Sequence, residues 1–176
     1  MKPIARLGVV TALWLVIGSA GAASLASGSW SSFDFYDDID NTPWVDGALS
    51  PATFEFSLAD DGILTVADGG FAGDRFEVFA NGVSLGETSL PDAGAGDASF
   101  DLDFDAALAD PRWSSARFHL AAGDYMISGR ATAFATGTFG GTGAVMLTPV
   151  PEPESVALMG VGGLMVAAAL RRARRA

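Results

Sequence analysis

An antiparallel all-β sandwich, jelly-roll-like and of about eight or nine strands, is the fold class predicted between residues 24 and 149. Three observations predict it. Short apolar runs alternate with polar residues at a period of two, as strands buried on one face do. Asn-Gly, Asp-Gly and glycine-rich stretches separate those runs and supply the backbone conformations of tight turns. No part of this middle segment carries a 3.6-residue apolar stripe closed by helix caps, which sets an alternating α/β architecture aside.

The chain opens on an address rather than on a fold element. Met1-Lys2-Pro3-Ile4-Ala5-Arg6 is cationic, residues 7–17 are uncharged, and Gly18-Ser19-Ala20-Gly21-Ala22-Ala23 is small throughout. That order predicts a secretory signal peptide over residues 1–23, cut by signal peptidase after Ala22 or Ala23. The apolar run is too short to cross roughly 30 Å of hydrocarbon as an uncleaved anchor.

The strands follow. Phe54, Phe56 and Leu58 alternate with Glu55 and Ser57, and Asp61-Gly62 turns the chain into Ile63-Leu64-Thr65-Val66. Residues 74–80 place Phe76, Val78 and Ala80 on one face, and Asn81-Gly82 folds them onto Val83-Ser84-Leu85. Phe100, Leu102 and Phe104 alternate with Asp101, Asp103 and Asp105, a further expected strand, with a turn of helix allowed over 106–110. Ala116, Phe118 and Leu120 alternate with Arg117 and His119; residues 125–134 and 143–147 complete the set. Residues 68–73, 92–97 and 136–143 are expected as glycine-rich loops. All 12 phenylalanines fall in this segment, a large apolar supply for one core.

Residues 150–176 form a second address. Val150-Pro151-Glu152-Pro153-Glu154 leads into an uncharged run over 155–170, and Arg171, Arg172, Arg174 and Arg175 follow. Sixteen residues of helix reach about 24 Å, a short transmembrane segment that bilayer thinning accommodates. The arginines hold their end in the cytoplasm and leave the β domain outside. This tail closely resembles the PEP-CTERM sorting signal, also catalogued with the C-terminal domains of ice-binding proteins: a Pro-Glu-Pro motif, a short transmembrane segment and an arginine-rich end, in that order. The resemblance implies processing by an exosortase, a membrane transpeptidase of Gram-negative bacteria, on proteins typically made alongside exopolysaccharide. The middle is similar to domains often attached to that tail, through Asp74-Arg75-Phe76-Glu77-Val78, Asn81-Gly82-Val83, Leu85-Gly86-Glu87-Thr88-Ser89 and Leu120-Ala121-Ala122-Gly123-Asp124-Tyr125-Met126-Ile127. That similarity implies an extracellular β-sandwich and supplies no activity.

Charge excludes one class of partner. Residues 24–149 hold four arginines, no lysine and nineteen acidic residues, a net charge of −15. Such a surface repels phosphate backbones, so nucleic acid is not a partner. The chain has no cysteine, which removes disulfides, thiolate metal sites and cysteine nucleophiles.

Several residues invite chemistry. Asp37, Asp38 and Asp40 cluster in an expected loop and are weak calcium candidates; Asp101, Asp103 and Asp105 read more simply as the wet face of a strand. His119 is the single histidine, and no Gly-x-Ser-x-Gly elbow accompanies it, so a catalytic triad is not expected. Three tryptophans stand out, Trp30, Trp44, which follows Pro43, and Trp113, which follows Asp110-Pro111-Arg112. They are candidate loop platforms for sugar rings, or caps on the ends of the core. The expected function is therefore non-enzymatic, without cofactor. The reading is an exported precursor held in the inner membrane by its tail, then a cell-surface or secreted component of the envelope or exopolysaccharide matrix. The alternative is a carbohydrate-binding module of that matrix using Trp44 and Trp113.

Overall fold

The computed structural model describes residues 22–92 and 100–150. Residues 1–21 of the expected leader, residues 93–97 of the expected loop, and the sorting residues Pro151, Glu152 and Pro153 with the transmembrane run and Arg171, Arg172, Arg174 and Arg175, lie outside the described residues, whereas Ala23, expected as the leader's last residue, pairs with Phe54 in β1. In chain order the elements are β1 (Ala23–Ser24), β2 (Trp30–Tyr36), β3 (Phe54–Leu58), β4 (Gly62–Phe71), β5 (Arg75–Ala80), β6 (Val83–Glu87), β7 (Phe100–Asp101), α1 (Phe104–Ala109), β8 (Ser115–Leu120), β9 (Gly123–Ala133) and β10 (Gly140–Pro149).

Two sheets form the all-β sandwich. One has the order β1-β3-β9-β5-β6; the other runs β2-β10-β4, with β8 and then β7 on the far side of β4. Pairing is antiparallel throughout except for β1 on β3. The period of two explains which side chains turn inward. Phe54 and Leu58 of β3, Phe76 and Val78 of β5 and Ile127 and Ala131 of β9 meet Phe33 and Phe35 of β2, Leu64 and Val66 of β4, and Val145 and Leu147 of β10. Rings dominate this core: Phe33 stacks on Trp44 at 3.9 Å between centroids, and Phe76 meets Phe33 and Phe35 edge-on at 5.2 and 5.1 Å. The Asn81-Gly82 turn forms as expected, with φ of 50° and 78°, joining β5 to β6.

Four local expectations are corrected. The expected strand over Phe100–Asp105 stops at Asp101, and α1 begins at Phe104. The Asp103 carboxylate caps that helix by accepting from the amides of Asp105 and Ala106, and Ala106-Ala107-Leu108-Ala109 has strong helix propensity. Capping beats a period of two read over six residues. Residues 68–73 are not wholly a loop, because β4 continues to Phe71. Here both faces are covered, and alternation disappears. Gly69 admits the ring of Phe104, which a Cβ at that position would overlap. Likewise β10 starts at Gly140 rather than 143, because Gly140, Gly141 and Gly143 lie against Tyr36, Phe35 and Phe33. Finally, β2 has no counterpart among the expected strands. Trp30-Ser31-Ser32-Phe33-Asp34-Phe35-Tyr36 pairs with β10 from Met146 to Gly140.

Candidate functional site

The tail leaves the fold without a spacer. Pro149 ends β10 opposite Gly62, and the amide of Val150 donates to the carbonyl of Asp61 at 2.8 Å. Val150, the residue before Pro151 in the sequence, is thus tied to the fold. The segment after β1 lies at the same end, where Ser27 bridges Leu147 and the amide of Gly28 donates to Leu147 at 2.8 Å. A groove of about 330 Å³, lined by Leu25, Ser27, Phe56, Leu58, Asp60 and Leu147 among others, opens between these segments.

The tryptophan platform does not exist in the form expected of loop aromatics. Trp44 is 1% exposed and Trp113 is 4% exposed, so neither offers a ring face to a sugar. The segment around Pro43 and Trp44 crosses from one sheet to the other. Trp44 donates its amide to Gly129 of β9, Val45 exchanges bonds with Asp34 of β2, and the indole inserts between them. Trp113 packs with Ala72 and Ala107 in a small second cluster beneath α1. Trp30 is half-buried and donates its indole N–H to Asp105 at 3.0 Å.

The acidic candidates disperse. Asp37, Asp38 and Asp40 are exposed on the turn after β2. Among the described residues no group of three or more histidine, aspartate or glutamate side chains converges in a way that could hold a metal ion. Asp103 is occupied in capping, and His119 is exposed on β8 opposite Ile63.

A different acidic pair is buried, and sequence reasoning missed it. Asp68, in β4, and Asp74, just before β5, are both 0% exposed. Asp68 Oδ2 accepts from the amides of Gly73 at 3.0 Å and Asp74 at 3.1 Å, closing the β4–β5 turn on the carboxylate. Asp74 Oδ1 accepts from the amide of Ala135 at 2.7 Å, in the connection between β9 and β10. Asp68 Oδ1 and Asp74 Oδ2 have no hydrogen-bond partner. Burial, followed by the charge of Asp74, pushes the Asp68 carboxyl up to about 8 against the pull of its amide bonds. Burial pushes Asp74 up to about 7, opposed by the bond from Ala135. Three arginines pair elsewhere, Arg75 with Glu87, Arg112 with Asp110 and Arg130 with Glu77. Backbone space is reserved for the pair, since a Cβ on Gly141 would come within 2.6 Å of Asp74 Oδ2. The only sequence signal is two aspartates bracketing Gly69, Gly70 and Gly73, which looks the same as a solvated turn.

Comparison with known proteins places the tail and leaves the domain open. Residues 149–175 match the family described as the PEP-CTERM protein-sorting motif, so the chain carries that sorting motif, beginning on the last residue of β10. No curated protein matches the chain. Among solved structures, the pre-peptidase C-terminal domain of a collagenase from Bacillus anthracis superposes with a TM-score of 0.40 at 10% identity, over 73% of this chain and 95% of that one.

Proposed function

We propose that this exosortase-sorted surface protein is a non-enzymatic component of the cell envelope or exopolysaccharide matrix. In this reading signal peptidase cuts after Ala22 or Ala23, the tail holds the precursor in the inner membrane with the β domain outside, and exosortase then processes it. The observation that carries the proposal is the sorting motif at residues 149–175, joined to the sandwich with no linker. Two further features support it. Segments 23–28 and 147–150 lie at one end of the sandwich, so a membrane-held domain presents its opposite end outward. The acidic surface suits a hydrated matrix and disfavours nonspecific capture of other polyanions. The carbohydrate-binding alternative loses its support with the burial of Trp44 and Trp113.

The test is replacement of Pro151-Glu152-Pro153 by Ala-Ala-Ala in the native host. The expected product is a full-length protein retained in the membrane fraction, while the wild type appears shortened at the surface or in the medium. Equal processing of the two forms overturns the proposal.

A further inference from the structure

Two carboxyl groups removed from water, while Arg75, Arg112 and Arg130 pair with other acids, demand an explanation. Burying an ionised carboxylate unpaired is among the costliest events in folding, and native buried polar groups are overwhelmingly satisfied. Asp68 and Asp74 depart from that pattern together: both side chains are fully buried, and each keeps one oxygen without a hydrogen-bond partner. They are adjacent in space, because the amide of Asp74 rests on the Asp68 carboxylate at 3.1 Å. Their remaining oxygens are held in place by amides of Gly73, Asp74 and Ala135, so both carboxyl groups are fixed before any ligand arrives.

We propose that Asp68 and Asp74 bind a calcium ion through these two free carboxylate oxygens, and that the ion ties the β4–β5 turn to the β9–β10 connection. The donor set selects the metal class. Carboxylate oxygens without a histidine or cysteine suit hard cations, and the chain has no cysteine at all. Calcium tolerates irregular geometry and accepts backbone carbonyls, whereas magnesium sheds its waters reluctantly and suits a dry, prebuilt site badly. Among the described residues no third acidic or histidine side chain joins the pair, so the rest of the shell is chiefly backbone carbonyls, with few waters. Two anionic ligands match the charge of the ion. A ligand set this sparse belongs to the weak extracellular range, with Kd on the order of 10⁻⁴–10⁻³ M. This site is distinct from the exposed Asp37, Asp38 and Asp40 turn, and it does not depend on how the tail is processed.

The test uses the full-length protein in detergent, melted in CaCl₂ and in NaCl at matched ionic strength. Calcium at about a hundredfold excess over Kd raises Tm by roughly 5–10 °C above the NaCl control. Asp68→Asn and Asp74→Asn keep the shape and an acceptor oxygen for the amide bonds, and either one abolishes the calcium-specific rise. Asp38→Asn with Asp40→Asn leaves it intact. A second measurement needs no variant: Tb³⁺ replaces calcium, and its luminescence lifetimes in H₂O and D₂O count the waters on the ion. A site at Asp68 and Asp74 shows few waters, a surface loop several. The proposal is overturned if the wild type melts alike in both salts, if the rise survives both Asn variants or disappears in the Asp38–Asp40 variant, or if bound Tb³⁺ is extensively hydrated.

Discussion

Gly129→Ala isolates the contact that turns a loop tryptophan into a core residue. Gly129 lies in β9 at the point where Trp44 donates its amide to it at 2.9 Å. A Cβ there would overlap Cε2 and Cζ2 of the Trp44 indole and lie 2.7 Å from Cδ2. The ring has nowhere to retreat: Phe33 stacks on it at 3.9 Å and 16°, with Phe76 and Phe54 edge-on at 6.1 and 6.5 Å. Forcing a methyl into such packing costs about 3 kcal/mol. Replacing a strand glycine by alanine returns about 0.5–1 kcal/mol of unfolded-chain entropy, so the net loss is about 2 kcal/mol. In a domain of this size that lowers Tm by roughly 6–10 °C. The decisive assay is a double-mutant cycle with Trp44→Phe, read by thermal melts in circular dichroism. Phenylalanine drops the outer atoms of the indole, Cζ2 among them, and leaves a smaller ring that can shift away from the new methyl. It also removes the buried indole N–H that lacks a partner, which offsets part of the lost packing. In that background Gly129→Ala costs under about 0.5 kcal/mol, a coupling of about 1.5 kcal/mol. Equal cost in both backgrounds refutes the packing argument, as does an unchanged Tm for the single variant.

The buried aspartates make stability depend on pH in a stated direction. Their carboxyls are raised to about 8 and about 7 from 3.8, so the fold binds protons more tightly than the unfolded chain. Their contribution is fully present below about pH 4 and is lost as pH rises to about 8. In calcium-free buffer, urea melts from pH 4 to 8 show a decline that Asp68→Asn with Asp74→Asn largely flattens; a decline of equal slope in that variant refutes the assignment. Asp103→Ala removes the cap of α1 and lowers stability by about 1 kcal/mol, checked by urea denaturation; Asp103→Asn, which keeps an acceptor, loses much less.

Where one face of a strand is wet, the sequence is legible. β3, β5 and β8 alternate because Glu55, Glu77 and His119 turn outward while Phe54, Phe76 and Leu120 turn inward, and all three were readable from periodicity. β4 was only half readable, since its residues from Leu64 to Gly70 are buried on both faces and a doubly covered strand has no alternation to read. β10 was cut short for a related reason. At Gly140, Gly141 and Gly143 the apolar partner is the aromatic ring from β2 across the ladder, so the strand signal resides in Phe33, Phe35 and Tyr36 instead. Trp44 shows the converse: Pro43 and Asp46-Gly47 mark irregular chain correctly, yet that chain runs inward between the sheets.

The same physics separates the legible function from the illegible site. The sorting motif lies in one continuous stretch of 27 residues, 149–175, so the order of Pro-Glu-Pro, apolar run and arginines is itself the signal, and sequence suffices. Asp68 and Asp74 acquire their properties only when other segments cover them. The amide of Ala135 arrives from 61 residues away, and Gly141 closes over Asp74 from β10. Removed from that cover, both are ordinary turn aspartates, like Asp37 or Asp61. Nineteen acids in the segment make any pairing by composition uninformative. What distinguishes this pair is that two oxygens were excluded from water without being given a partner, and only the folded chain can show that.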